Sequence, residues 1–269
     1  MIKHYSREEI IASLERKITA REAIISCQTG LGIVGKAANL AGVDFAVVDS
    51  IAFQRVSGNK GYTAGLPGNA SNQLLDKLAK KVVLVEQDIP TIAGVIANNP
   101  NENLEYIIPN LIKKGFSGVI NSPSIGQYPD FPKQIVNDPN VGFDREVSMI
   151  KWCHELGLFT IGLVCSSENA IKMVQAGADV LVASIPEGVE MSFEEMKGYL
   201  GKIITAARSE GSRYILIHCS QYMKKDEIQE LICSLGAEGL FGGACMDSDP
   251  ITEALEKAIK EIQNIHTSI

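Results

Sequence analysis

No stretch of this chain approaches the ~18 consecutive apolar residues that a membrane span requires. The opening Met1-Ile2-Lys3-His4-Tyr5-Ser6 has no apolar h-region of the secretory kind. Neither membrane insertion nor export is expected, and the expected location is cytoplasmic. Positive charge is scarce as well. The net charge is −7, which argues against nucleic acid or an anionic membrane as the main partner. The six cysteines (27, 153, 165, 219, 233 and 245) include no Cys-x-x-Cys pair. In a chain of 269 residues that is 45% hydrophobic, they read as reduced thiols around a large core, not as a disulfide framework. Cys27, Cys165, Cys219 and Cys245 fall near strand ends, yet without the spacing of a zinc or iron–sulfur site. No His-x-His pair or carboxylate cluster suggests an amidohydrolase-type metal centre. No strand end carries the lysine of a Schiff-base aldolase.

What the chain does have is a repeat of short apolar runs, each followed by a helical pattern. Glycines mark the joints: Ala41-Gly42-Val43-Asp44, Ala176-Gly177-Ala178-Asp179, and Gly115, Gly157, Gly211 and Gly236. Each supplies the left-handed residue that ends a helix before a buried parallel strand. Eight such units predict an α/β chain folded as a single (β/α)8 TIM barrel over residues 1–269. An extra N-terminal helix is expected within 1–20, opened by the Ser6-x-x-Glu9 capping box, and the barrel within 21–269. Predicted strands are 23–28, 45–50, 91–97, 118–122, 159–165, 180–185, 214–219 and 239–244. Residues 51–68, with four glycines and no clear period, read as a long lid or binding loop. A helix is expected from about 69 into the 80s, with 80–85 as its end. Ser192-x-x-Glu195 should cap another helix, and Asp249-Pro250 should cap the last.

A barrel of this kind places its chemistry at the strand C-termini. Those positions hold Cys27 and Gln28, Asp49 and Ser50, Asn98 and Asn99, Asn121 and Ser122, Cys165 and Ser166, Ser184 and Glu187, His218 and Ser220, and Cys245 and Asp247. Alternation lets only about half of them face a ligand. Asp49 and His218 form the candidate acid–base pair, and Asp49 is the best candidate metal ligand. Capping of the next loop by Asp49, and a satisfied core role for His218, are the structural alternatives. Arg55 and Lys60 are placed to clamp an anion. Gly242-Gly243, and Gly30 within Thr29-Gly30-Leu31-Gly32, offer backbone N–H groups for a phosphate or carboxylate.

Several stretches then form an ordered series: Thr29-Gly30-Leu31-Gly32, Ala41-Gly42-Val43-Asp44, Ala64-Gly65-Leu66-Pro67-Gly68-Asn69-Ala70, Ile92-Ala93-Gly94-Val95 with Asn99-Pro100, Gly115-Phe116-Ser117-Gly118-Val119, and Ala176-Gly177-Ala178-Asp179. The series resembles the phosphoenolpyruvate hydrolase-like family of TIM barrels, within the phosphoenolpyruvate/pyruvate-type group. That resemblance implies a small anionic metabolite, a 2-oxo acid or enol-phosphate, handled through an enolate-like state by a hydrolase or lyase. It also implies Mg²⁺ as the one cofactor to consider. Substrate oxygens would meet Gln28, Gly30, Ser50, Arg55, Asn98, Asn121, Ser122, Gly242 and Gly243. The chain departs from the group where acids at the ends of strands 3 and 4 serve the metal: it has Asn98, Asn99 and Asn121. A family segment of the Tyr-Asn-Ser-Gly-Arg-Phe-Arg type is here Val48-Asp49-Ser50-Ile51-Ala52-Phe53-Gln54-Arg55. Of a His-Gly-Gly segment after strand 7, His218-Cys219-Ser220 keeps the histidine. A non-catalytic binding or regulatory barrel, and a sugar-phosphate isomerase or synthase, stay open as alternatives. A homo-oligomer is expected, because such barrels often present apolar helix faces.

Overall fold

The computed structural model describes residues 3–65, 70–85, 88–129, 131–219 and 223–263. Eight parallel strands close into a barrel in sequence order. They are β1 (Ile24–Thr29), β2 (Phe45–Val48), β3 (Thr91–Gly94), β4 (Gly118–Ile120), β5 (Phe159–Val164), β6 (Val180–Ala183), β7 (Tyr214–Cys219) and β8 (Gly239–Gly242). The seam is β8 against β1, with Ile24 opposite Gly239 and Cys27 opposite Gly242. Helix α1 (Arg7–Thr19) precedes β1 and α2 (Gly32–Ala41) follows it. Around the rest of the ring run α3 (Ser50–Val56), α4 (Ser71–Ala79), α5 (Leu104–Lys113), α6 (Lys133–Val136), α7 (Phe143–Glu155), α8 (Ser167–Gln175), α9 (Phe193–Ser209), α10 (Lys225–Leu235) and α11 (Ser248–Gln263).

The joint glycines behave as the sequence implies. Gly42 and Gly236 end their helices in the left-handed region, at φ 70° and 62°. Two apolar layers result. Inside the barrel, Phe45, Val47, Ile92, Ile120, Phe159, Leu216 and Phe241 fill the axis. Outside, Leu75, Ile108, Leu111, Met149 and Leu200 pack helices on the sheet. Helix α1 plugs the N-terminal end through Ile10 and Leu14, and Arg7 grips Asp179 just ahead of β6 at 2.6–3.0 Å. With that end closed, the C-terminal mouth is where a ligand can enter.

Strand and helix spacing leave little slack at the seam. A β-carbon on Gly239 would overlap the Ile24 carbonyl. A Gly239→Ala variant is therefore expected to lose ~1–3 kcal/mol, the usual cost of overpacking, readable as a lower urea midpoint.

The structure corrects several boundaries. Residues 51–68 are not one irregular loop: α3 starts at Ser50, and a 3-10 turn occupies Gly61–Gly65. The Asp49 carboxylate accepts from Ala52 N at 2.8 Å, so the helix is nucleated by the residue that ends the strand. Residues 66–69 lie outside the described residues. Helix α4 ends at Ala79, and 83–85 form a separate 3-10 turn. The predicted strands 2, 3, 4, 5, 6 and 8 run past the ladder, which stops at Val48, Gly94, Ile120, Val164, Ala183 and Gly242. Helix α11 begins at Ser248, so Asp249 sits in its first turn and is not its cap. The α9 capping box is formed as expected.

Candidate functional site

Alternation along each strand decides which side chains reach the axis. Phe45 and Val47 point inward, and Asp49 continues their parity. The same count, from inward residues Ile24, Ile120, Val182, Leu216 and Phe241, carries Gln28, Ser122, Ser184, His218 and Gly243 to the axis at the C-terminal mouth. Hydrogen bonds join them. Asp49 Oδ2 accepts from Gln28 Nε2 at 2.6 Å and from Ser122 Oγ at 2.7 Å. Position 94 shares this parity and must be glycine, since a β-carbon there would overlap that of Asp49.

Arg55 is brought in by α3. Its Nε donates to both Asp247 oxygens, at 3.0 and 3.1 Å, and its Nη2 to Gln28 Oε1 at 3.1 Å and to Asp247. Asp247 is fully buried and its partner nearly so. Gln28 thus links the Arg55 guanidinium to the Asp49 carboxylate. Burial opposes the Arg55 charge, but Asp247, Asp49 and Glu187 outweigh it and its pKa is raised. Burial raises Asp49, against the opposing pull of Arg55, the Ala52 N–H, Ser122 and Gln28.

His218 closes the other side. Its ring stands edge-on to Phe241 at 5.4 Å. The Ser184 hydroxyl donates to Ile185 O at 3.0 Å, so Ser184 Oγ accepts from His218 Nδ1–H at 2.9 Å. This network assigns the ring proton to Nδ1 and leaves Nε2 as a bare acceptor, buried and unpartnered. Burial, helped by the Arg55 charge, pushes the His218 pKa down to about 3, so the ring is neutral. A β-carbon on Gly243 would sit 2.9 Å from His218 Nε2 and 3.1 Å from Gln28 Oε1. His218 and Gln28 therefore flank Gly243, and Gln28 in turn holds Asp49 and Arg55. The turn at Gly61–Gly65 packs on the Tyr128 ring, and Tyr128 donates to Tyr62 O at 3.1 Å. Beside that turn lies a cavity of about 480 Å³ lined by Tyr62, Tyr128, Phe131 and Glu187, which Asp49, Gln28, Arg55 and His218 do not line.

Other candidates stand elsewhere. Asn121 has the outward parity: it accepts from Leu163 N at 2.7 Å and donates to Leu163 O at 3.0 Å, extending the β4–β5 ladder. Asn98 donates to Val141 O and Gly142 O at 2.7 and 3.0 Å and lines a separate cavity of about 470 Å³. Ser50 opens α3 with its hydroxyl buried and unpartnered. Gly30 is needed because α3 passes over it: a β-carbon would overlap Phe53 N. Gly242 faces Met246, and Gly243 N donates to Cys219 O at 3.0 Å, which spends that N–H. Lys60 is exposed. Ser220 lies outside the described residues.

Glu146, on α7, is a residue that reading strand ends could not find. Fully buried, it accepts from Asn121 Nδ2 at 2.6 Å and from Ser124 Oγ and Ile125 N at 2.7 Å. It ties the loop carrying Tyr128 to the barrel wall. A signal was present: Phe143, Glu146, Met149, Ile150 and Cys153 form the buried stripe of α7. Burial pushes its pKa up to about 7 in spite of those donors. A raised carboxyl stabilises the fold fully below its unfolded value near 4.5, and this contribution is lost as pH rises toward 7. The stability difference between wild type and Glu146→Gln should therefore move by up to about 3 kcal/mol against wild type between those pH values and stay flat above them. Urea titrations of both proteins across that range measure it.

Comparison with known proteins adds the lineage. The family model for phosphoenolpyruvate hydrolase-like proteins matches residues 9–265. The ToMV susceptible protein tm-1(GCR26) and the ToMV resistance protein Tm-1(GCR237), both of Solanum lycopersicum, are 26% identical over 266 and 269 residues. Those matches cover 95% and 96% of this chain but 35% and 36% of the relatives, so the chain spans about a third of their length. Among solved structures, phosphonopyruvate hydrolase in complex with oxalate and Mg²⁺ superposes with a TM-score of 0.62 at 14% identity, covering 94% of this chain and 87% of that one. At that identity the likeness is one of fold. The match to the family model runs from α1 through all eight strands into α11, and on it the chain belongs to the phosphoenolpyruvate hydrolase-like family.

Proposed function

We propose that this chain is an enzyme acting on a small anionic 2-oxo acid or enol-phosphate at the C-terminal mouth of its barrel, through an enolate-like state. The observation that carries the reading is that a buried carboxylate and a buried guanidinium are both bonded to Gln28, with a neutral imidazole beside its amide oxygen. Arg55 is the cation for the substrate carboxylate, with Gln28 and Ser122 as neighbours. Asp49 is the base, its affinity for a proton raised by burial. His218 Nε2 accepts the proton of an enol or hydroxyl group and returns it. Membership of the family and the small-acid chemistry named for phosphonopyruvate hydrolase support the same class.

Magnesium requires a near-octahedral shell of oxygens. The residues present do not fit it. The Asp49 carboxylate already accepts three hydrogen bonds, Asn121 Oδ1 accepts one, and Asp247 is held by Arg55. No group of three His, Cys, Asp or Glu side chains that could hold a metal occurs among the described residues.

A panel of 2-oxo acids and phosphoesters, with and without Mg²⁺, tests the function. Turnover of a panel member by wild type, absent in Asp49→Asn and His218→Asn, is expected. No turnover of any member contradicts it. The second reading is a non-catalytic binding barrel, favoured because Asp49 doubles as the cap of α3. A thermal shift with a ligand and no turnover would select it. We also place the chain in the cytoplasm as a homo-oligomer, a state supported by exposed Leu255, Ile259 and Ile262 along α11.

A further inference from the structure

We propose that the cavity beside the Gly61–Gly65 turn is a second binding site, for a small organic cation with a methylated ammonium head. The proposal does not rest on the 2-oxo acid reading of the barrel mouth. The cavity measures about 480 Å³ and is lined by Tyr62, Tyr128, Pro129, Phe131, Glu187 and Gly188. Three aromatic residues and one carboxylate carry its chemistry, and no lysine or arginine among the described residues lines it. Positive charge on an apolar body is what such a wall attracts, through the carboxylate and the electron-rich ring faces.

The aromatic wall is held open by its own contacts. Tyr128 and Phe131 stand edge to face, with centroids 5.7 Å apart and planes at 84°, so they make two walls at nearly a right angle. The Tyr128 hydroxyl donates to Tyr62 O at 3.1 Å, which ties the turn to the same ring. That hydroxyl also lies against Gly65, where a β-carbon would overlap it, so only glycine lets the turn come this close. Glu187 N donates to Gln127 O at 2.7 Å and docks the loop after β6 on the loop that carries Tyr128. Loops following β2, β4 and β6 thus meet at one cavity.

Glu187 supplies the charge. Arg55 attracts its carboxylate from beyond salt-bridge distance and is itself held by both Asp247 oxygens. Burial outweighs that attraction and raises the Glu187 pKa, a cost that a bound cation would relieve. A primary ammonium has three N–H donors to satisfy, and Glu187 is the one charged acceptor among the described residues of the wall. A quaternary head has no N–H and meets the rings with its methyl groups. That difference selects the methylated head.

The test is calorimetric titration of the full chain with choline, with its uncharged carbon isostere 3,3-dimethyl-1-butanol, and with ethanolamine. Choline should bind about tenfold more tightly than either. Tyr62 is exposed and glutamine is isosteric with glutamate, so Tyr62→Ala and Glu187→Gln should fold. Each should weaken choline by about five- to tenfold, whereas Tyr62→Phe, which keeps the ring, should match wild type. Equal affinity for choline and the alcohol overturns the charge assignment, and equal affinity for choline and ethanolamine overturns the methylated head. Choline binding untouched by both weakening variants, or no choline binding at all, overturns the site. Phosphatidylcholine vesicles co-sedimented with the chain separate the sources of such a head. The chain should stay in the supernatant, and pelleting that is lost in Glu187→Gln would replace the free molecule by a lipid headgroup.

Discussion

An Arg55→Met variant should be less stable than wild type by about 3–5 kcal/mol, the cost of stranding a buried charge. Asp247 is fully buried and its two oxygens are met by Arg55 Nε and Nη2. Methionine fills the stem but leaves that carboxylate with the Ser248 N–H alone. Gln28 Oε1 loses its donor in the same step. If the destabilisation comes from the uncompensated charge, adding Asp247→Leu should recover most of it, since a buried ion pair exchanged whole for apolar residues is often neutral. If the single and double variants are equally unstable, packing of the arginine stem is the cause. Equilibrium urea unfolding of the three proteins separates these outcomes.

His218→Asn should lower kcat on the accepted 2-oxo acid by roughly 10²–10⁴-fold, the range for loss of a positioned proton-transfer group. Asparagine keeps a polar group toward Ser184 but offers no imidazole nitrogen at the position of Nε2. The fold should tolerate it, because the histidine makes one side-chain hydrogen bond and one ring contact. Asp49→Asn should cost both activity and about 1–3 kcal/mol of stability. An amide there puts N–H groups among the donors Gln28 Nε2, Ser122 Oγ and Ala52 N. Equal kcat in wild type and His218→Asn would reduce the histidine to a core residue.

The architecture was legible because its signals are local. A glycine ahead of β2, β4, β5, β6, β7 and β8, with an apolar run after it, marks the β/α repeat, and the barrel closes in that order. The site was half legible for a related reason. Parity along a strand is written in the chain, so Gln28, Asp49, Ser122 and His218 could be sorted to the axis by counting from Ile24, Phe45, Ile120 and Tyr214. The same count would have turned Asn121 outward. Contacts made by helices were not legible. Arg55 reads as a loop charge until α3 is seen to start at Ser50, and Asp247 reads as one strand-end residue among many until Arg55 is found on it. The place of Asn98 depends on the 141–142 backbone, some forty residues on, which no local pattern reports.

The most direct measurement follows the imidazole nitrogens of His218 by NMR while pyruvate is added, with His218→Asn supplying the assignment among the four histidines of the chain. A neutral ring protonated on Nδ1 is expected before addition, and a saturable shift of Nε2 with the ligand. Pyruvate that binds without moving Nε2, or a ring protonated on Nε2 from the start, would contradict a substrate site at the mouth of the barrel.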